Sequence, residues 1–293
     1  MMFNKRREIL FLYSVKDANP NGDPLNANHP RYDEETGQIL TSDVRIKRTT
    51  RDEWILEGEE VLVNGEAVTL PARYDELKKK YGESNAETVI SHCIDARIFG
   101  ATFAVGKEAF SWTGPVQFKW GRSLHRAKVE FVQGTAAFAT KETSEQRSFR
   151  NEYIVPFALM ATSAVCNQNA SRYTGATDED LAKLSNALWF GTKNLITRSK
   201  MEHTPALLIE ITYKEGHSSH IGSLDERVVL CKTDGSAFSD EEQYKLRSLK
   251  DFVIDLSPLQ TKIDEQKDRI DSVSVIINSD ARVKGIQQTP VLR

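Results

Sequence analysis

Several stretches of the 293-residue chain place reactive residue types at spacings that invite a chemical reading. From Asp17 the sequence runs D-A-N-P-N-G, the way a calcium-binding EF-hand loop begins. The twelfth position of such a loop supplies a bidentate glutamate, and here it is Asn28. The preceding run EILFLYSV (Glu8 to Val15) reads as a strand where an EF-hand needs a helix, and Pro20 and Pro24 stiffen a loop that must wrap an ion. His217 and His220, with two serines between them, lie in the polar turn KEGHSSHIG with no third ligand at a metal-binding spacing. Cys93 follows His92, but Ile90 and Ile94 flank it, which favours a buried structural thiol over a nucleophile. No G-x-S-x-G, phosphate loop or dinucleotide fingerprint occurs. The sequence therefore predicts no metal, no cofactor and no acid–base pair.

The basic residues are more informative. TSDVRIKRTTRDEWIL predicts a helix capped by Thr41, Ser42 or Asp43 and running to about Leu56. From Val44 to Arg51 it carries Arg45, Lys47, Arg48 and Arg51 and no acid. Arg45, Arg48 and Arg51 fall on one helix face. A solvated face is one reading of this pattern. The other is a surface for phosphates, bidentate through Arg and as a point charge through Lys. Two further acid-free windows hold Lys119 and Arg122, and Lys193, Arg198 and Lys200.

These side chains need a scaffold, and composition allows one. Hydrophobic residues make up 39% and charged residues 28%, enough for a sizeable core in one large domain or two ordinary ones. The formal charge of −3 argues against an indiscriminate polycation, so local patches decide. No apolar run reaches the roughly 18 residues of a membrane span. The basic start before Glu8 lacks a long apolar region and a cleavage site, so it reads as the approach to a first strand. Three widely separated cysteines, Cys93, Cys166 and Cys231, suit a reducing cytoplasm.

Along the chain, VLVNGEAVTL (61–70) reads as an Asn-Gly hairpin and residues 71–94 as two short helices, the second with a Ser84–Glu87 capping box. RIFGATFAV (97–105), GPVQFKWG (114–121) and AKVEFVQ (127–133) read as strands. A polar excursion, 134–152, then leads to the strand YIVPFALMATSAV (153–165), so a long hairpin is expected. Residues 177–194 form the clearest helix, with strands at 205–213, 227–231 and 272–278 and a helix after the Ser239–Glu242 capping box. Strands and helices mix without strict alternation, which predicts an α+β fold.

The residues NPNGDP, PR-x-D-x-x-TG, SDVRIKR, DARIFGA (95–101), GPVQF (114–118), ALW (187–189) and TRSK (197–200), in this order, resemble the Cas-seven family. This is the backbone subunit of the type I CRISPR surveillance complex Cascade, with the I-B and I-C branches most similar. The resemblance covers nearly the whole chain. It implies one domain with a modified RNA-recognition-motif (ferredoxin-like) palm at 1–52, 95–121 and 153–293. A helical and hairpin insertion would occupy 53–94 and a long β-hairpin thumb about 122–152. It also implies copies stacked along a CRISPR RNA, whose bases pair with target DNA. Partners would be further copies, a Cas-five subunit, large and small subunits and the guide-processing endoribonuclease, with no membrane. Arg31, Arg45, Lys47, Arg48 and Arg51 would contact guide phosphates, with Lys119, Arg122 and Arg198 as weaker candidates. Asn19 and Asn21 would face the same polymer from the opening loop. Phe138 and Phe149 would wedge against bases from the thumb. A related branch, type III, cleaves target RNA with a thumb-side aspartate; 134–152 holds Glu142, Glu145 and Glu152 but no Asp, so no nuclease activity is expected. A metal-dependent ribonuclease and a small-molecule-binding domain are the competing readings.

Overall fold

The computed structural model describes residues 1–26, 29–135, 149–288 and 290–292. Strand β1 (Arg7–Ala18) is buried on both faces. Ile9, Phe11, Tyr13 and Val15 enter one core, while Leu10 and Leu12 enter another. That two-sided burial is why its apolar run is continuous rather than alternating. β1 lies between two long antiparallel neighbours, β9 (Phe149–Cys166) and β10 (His203–Tyr213). Beyond β10 come β13 (Ile270–Ile277) and β15 (Val291–Leu292). Beyond β9 come β7 (Gly121–Ser123), β3 (Gln38–Thr41) and β2 (Tyr32–Asp33). β6 (Val116–Phe118) and β8 (Glu130–Thr135) pair with other parts of β9 and complete a ten-stranded sheet.

Helices α1 (Asp43–Leu56) and α6 (Asp178–Lys193) share the first core and bury Trp54 and Trp189 there. They cross closely at Gly191, where a Cβ would stand 2.9 Å from the Thr49 carbonyl oxygen. The second core joins the other sheet face to α8 (Ser257–Glu265) and a small sheet of β11 (Val229–Cys231), β12 (Val253–Asp255) and β14 (Val283–Lys284). Between α1 and β6, a satellite core forms around Leu77, Val89, Ile90, Cys93 and Phe103. It is built from α2 (Leu70–Tyr81), α3 (Ala86–Ser91), α4 (Ile94–Phe99) and the hairpin of β4 (Gly100–Val105) and β5 (Glu108–Thr113). The remaining helices are α5 (Gln168–Thr174) and α7 (Asp240–Gln243). The fold is mixed α+β with a largely antiparallel main sheet. Among the described residues no helix is long and apolar enough to cross a membrane.

Several local expectations are corrected. Residues 61–69 contain no strand pair, because the backbone N–H groups of Leu62 and Val63 donate to the Asp95 carboxylate instead. The cap of α3 is Asn85 rather than Ser84. Residues 97–99 end a helix, and the strand starts only at Gly100. Glycine is required there: its φ is +84°, and a Cβ would stand 2.3 Å from the Trp112 carbonyl oxygen. Gly114 faces the same crossing from the other side, its Cβ position 2.0 Å from the Phe99 carbonyl carbon. The helix after Ser239 keeps its capping box but lasts one turn. The expected hairpin is present as an antiparallel ladder between β8 and the start of β9, from Glu130 opposite Ile154 to Thr135 opposite Phe149. Residues 136–148, Phe138 included, lie outside the described residues.

Candidate nucleic-acid interface

The opening loop is tied down at both ends by its own polar groups. The Asn19 N–H donates to the Ser199 carbonyl at 2.8 Å, and the Lys200 ammonium donates to the Asn19 carbonyl at 2.7 Å. The Asn21 side-chain oxygen accepts from the Ser42 N–H at 2.8 Å and the Ser42 hydroxyl at 2.9 Å. Ser42 in turn caps α1 through the Arg45 N–H. Asn21 therefore braces the loop against the helix that carries the basic residues, and Asn19 is buried. At the far end the Arg31 guanidinium lies over the half-exposed Trp120 ring, 5.5 Å from its centroid.

The four bases of α1 divide into two pairs. Arg45 and Arg48 share Asp52; Arg45 also donates to the Thr49 hydroxyl at 2.9 Å, and burial pulls its guanidinium below its usual range. Arg48 presses on the Gly65 backbone, where φ is +91° and a Cβ would stand 2.1 Å from its Nη1. Lys47 and Arg51 flank the Phe99 ring at 5.5 and 5.3 Å. Lys47 pairs with Asp43 at 2.9 Å, while the Arg51 Nε donates to buried Asp95 at 2.7 Å. Arg51 thus leaves the face it was expected to share with Arg45 and Arg48. It anchors the satellite core to α1.

A second group of cations gathers across the opening loop. Arg198 and Lys200 line a cleft of about 350 Å³ with Asp17, Asn19, Glu152 and Tyr153. Arg198 holds Glu152 in a two-pronged pair of 3.1 and 2.8 Å. Burial and the neighbouring Arg45 guanidinium pull the Lys200 ammonium down to about 8. Beside the cleft, Tyr153 contacts the His29 ring at 4.8 Å and the Phe131 ring at 5.3 Å between centroids. Phe131 is 52% exposed, so the base of the β8–β9 ladder offers an aromatic surface next to bound cations. Sequence reasoning noted Lys200 only as one base of an acid-free window and passed over His29, Trp120, Phe131 and Tyr153. The aromatic residues were read only as parts of strands, and their exposure depends on register.

Lys119 and Arg122 lie elsewhere. Lys119 pairs with Asp225 at 2.9 Å, beside Leu224 of the second core, so it belongs to the sheet face opposite α1. Arg122 stands opposite Ala161 of β9, another member of that core, and pairs with Asp33 at 2.9 Å. Phe149 begins β9 opposite Thr135. Among the described residues no group of three or more His, Cys, Asp or Glu side chains comes together to hold a metal.

Glu152 competes with any anion for Arg198. Replacing it with Gln removes the competing charge, and an exposed pair of this kind contributes about 0–1 kcal/mol. Glu152→Gln should therefore bind single-stranded RNA a few-fold more tightly at 100 mM salt by fluorescence anisotropy. Weaker binding would mean that Glu152 itself serves the ligand.

A family model described as CRISPR-associated protein Cas7 matches residues 5–257. The chain belongs to the Cas7 family. A Cas7 protein of Haloferax volcanii is 29% identical, over 92% of this chain and 86% of that one. Among solved structures, a chain of a CRISPR RNA-guided surveillance complex in a pre-nicking state superposes with a TM-score of 0.59. It covers 96% of both chains at 14% identity. A chain of a second CRISPR RNA-guided surveillance complex gives 0.53, with 96% of this chain and 95% of that one covered, again at 14% identity. The sheet and its helical layers are therefore a fold that this Cas7 member shares with chains of such complexes.

Proposed function

We propose that this Cas7 family member is a non-catalytic backbone subunit of a type I CRISPR surveillance complex. It grips CRISPR RNA by its phosphates, adds copies of itself along the guide, and leaves the guide bases open to pair with target DNA. The observation that supports this reading is the convergence on one opening loop of Arg45 from α1 and of Arg198 and Lys200, with the aromatic rings of Phe131 and Tyr153 at the hairpin base. Guanidinium and ammonium groups suit phosphates, and rings such as Trp120, Phe131 and Tyr153 suit stacked bases at about 1–3 kcal/mol per base. The β8–β9 hairpin is the thumb in this reading, with Phe138 and Phe149 as its wedge residues. The palm is the main sheet with α1 and α6. Lys119 and Arg122, on the other sheet face, fit a partner subunit or a second strand better than this groove.

Binding to unstructured RNA of varied sequence tests the reading. About four phosphate contacts per copy give a slope of roughly −3 in log K against log salt. Affinity should be independent of sequence, and oligomers should grow with RNA length by light scattering. Salt-insensitive or sequence-selective binding would sink the proposal. Regularly spaced cuts in complementary RNA with Mg²⁺ would restore the ribonuclease reading.

A further inference from the structure

Lys200 is a half-buried ammonium at the cleft wall whose hydrogen bond goes to a carbonyl, that of Asn19. Among the described residues no carboxylate forms an ion pair with it. The groups around it are mostly cationic or neutral. Arg45 of α1 lies close enough to repel it, and His203 of β10 is buried and held neutral by its surroundings, pulled down to about 3 by burial and by Lys200. In the cleft itself, Arg198 holds Glu152, and Asp17 lines the wall at the end of β1. Two cations, Lys200 and Arg45, thus stand together behind the opening loop, and Asp52 reaches only the Arg45 end, at 3.9 Å. The Arg45 Nε is buried without a hydrogen-bond partner among the described residues.

We propose that a phosphodiester of the bound RNA is the counter-ion of Lys200, so that gripping the guide takes up a proton at this residue. This rests on the RNA-binding reading above and names one of its contacts. The direction follows from linkage. The lysine is pulled down to about 8 in the free protein, and a phosphate beside it restores the ordinary value near 10.4. The protonated form binds better. Its contribution is therefore fully present below pH 8 and is lost as pH rises above 8 toward the bound value. Because Arg45 never titrates in this range, the pH dependence belongs to Lys200.

The test uses an RNA of adenosine and cytidine only, whose bases do not titrate between pH 7 and 9. Wild-type affinity should fall about tenfold from pH 7 to pH 9. Calorimetry at pH 8.5 in buffers of different ionisation enthalpy should show uptake of about three-quarters of a proton per bound copy. Lys200→Arg keeps a charge that does not titrate, so it should bind at pH 9 as it does at pH 7, without proton uptake. Lys200→Met should bind weakly and equally at both pH values. Thermal melts of both variants check that the fold is kept. Wild-type binding with no proton uptake and a flat pH profile would overturn this assignment while leaving RNA binding intact. No RNA binding at pH 7 would instead sink the functional reading beneath it.

Discussion

Asp95→Ala should destabilise the protein by about 3–5 kcal/mol, the usual consequence of removing one partner from a buried ion pair. Asp95 is 1% exposed and accepts from the Arg51 Nε at 2.7 Å, the Leu62 N–H at 2.6 Å and the Val63 N–H at 3.2 Å. Its loss strands a largely buried guanidinium and two backbone donors together. At roughly 2–4 °C per kcal/mol for a chain of this class, the melting midpoint should fall by on the order of 10 °C. Asp95→Asn keeps an acceptor and should fall less. Arg51→Met removes the charge but keeps a stem to pack on Phe99, so it should also be milder. An unchanged melting temperature for Asp95→Ala would refute the anchoring role. A well-folded Arg51→Met that bound RNA tenfold more weakly would put Arg51 back at the interface.

The contrast between Arg51 and its helix neighbours shows where the sequence stopped being readable. The elements whose signals are local were legible. β1 announced itself as an apolar run, α1 by its cap and α6 as the clearest helix, whose Thr177 capping box closes with Asp180. What failed was set by distant groups. The Asn-Gly signal at 64–65 promised a hairpin, but a carboxylate thirty residues on captured the backbone donors it needed. Two motifs of the resemblance, DARIFGA and GPVQF, turn out to be architectural in this chain. Asp95 and Arg97 make buried pairs, Arg97 with Asp180, and Gly100 and Gly114 let two backbones touch. The bases of α1 were legible as a run without acids. The partners of those bases were not found, because Asp43 and Asp52 flank the acid-free window and Asp95 comes from another helix. The setting of Lys200 was not legible for a related reason: nothing in TRSK says that its last residue is half-buried against Asn19 while Arg198 stays exposed.

Charge reversal of one exposed arginine from each group, Arg48→Glu with Arg198→Glu, should weaken RNA binding at least a hundredfold at 100 mM salt. The two side chains are 33% and 63% exposed. Their ion pairs with Asp52 and Glu152 are accordingly worth about 0–1 kcal/mol each, so stability should barely move. A hydrogen bond to a charged group contributes about 1.5–3 kcal/mol where the ligand is held. Removing two such bonds to phosphate costs at least about 3 kcal/mol of binding, and the new carboxylates repel the phosphates further. The salt slope should flatten by about 1.4, the share of two phosphates on a single strand. The loss should be the same for every RNA sequence, because phosphates carry no sequence information. Salt titrations of the wild type and the double variant on two unrelated RNAs check all three points. Wild-type affinity in a well-folded double variant would show that the guide runs elsewhere, with the face carrying Lys119 and Arg122 as the next place to look. A loss confined to one RNA sequence would mean that these arginines read bases.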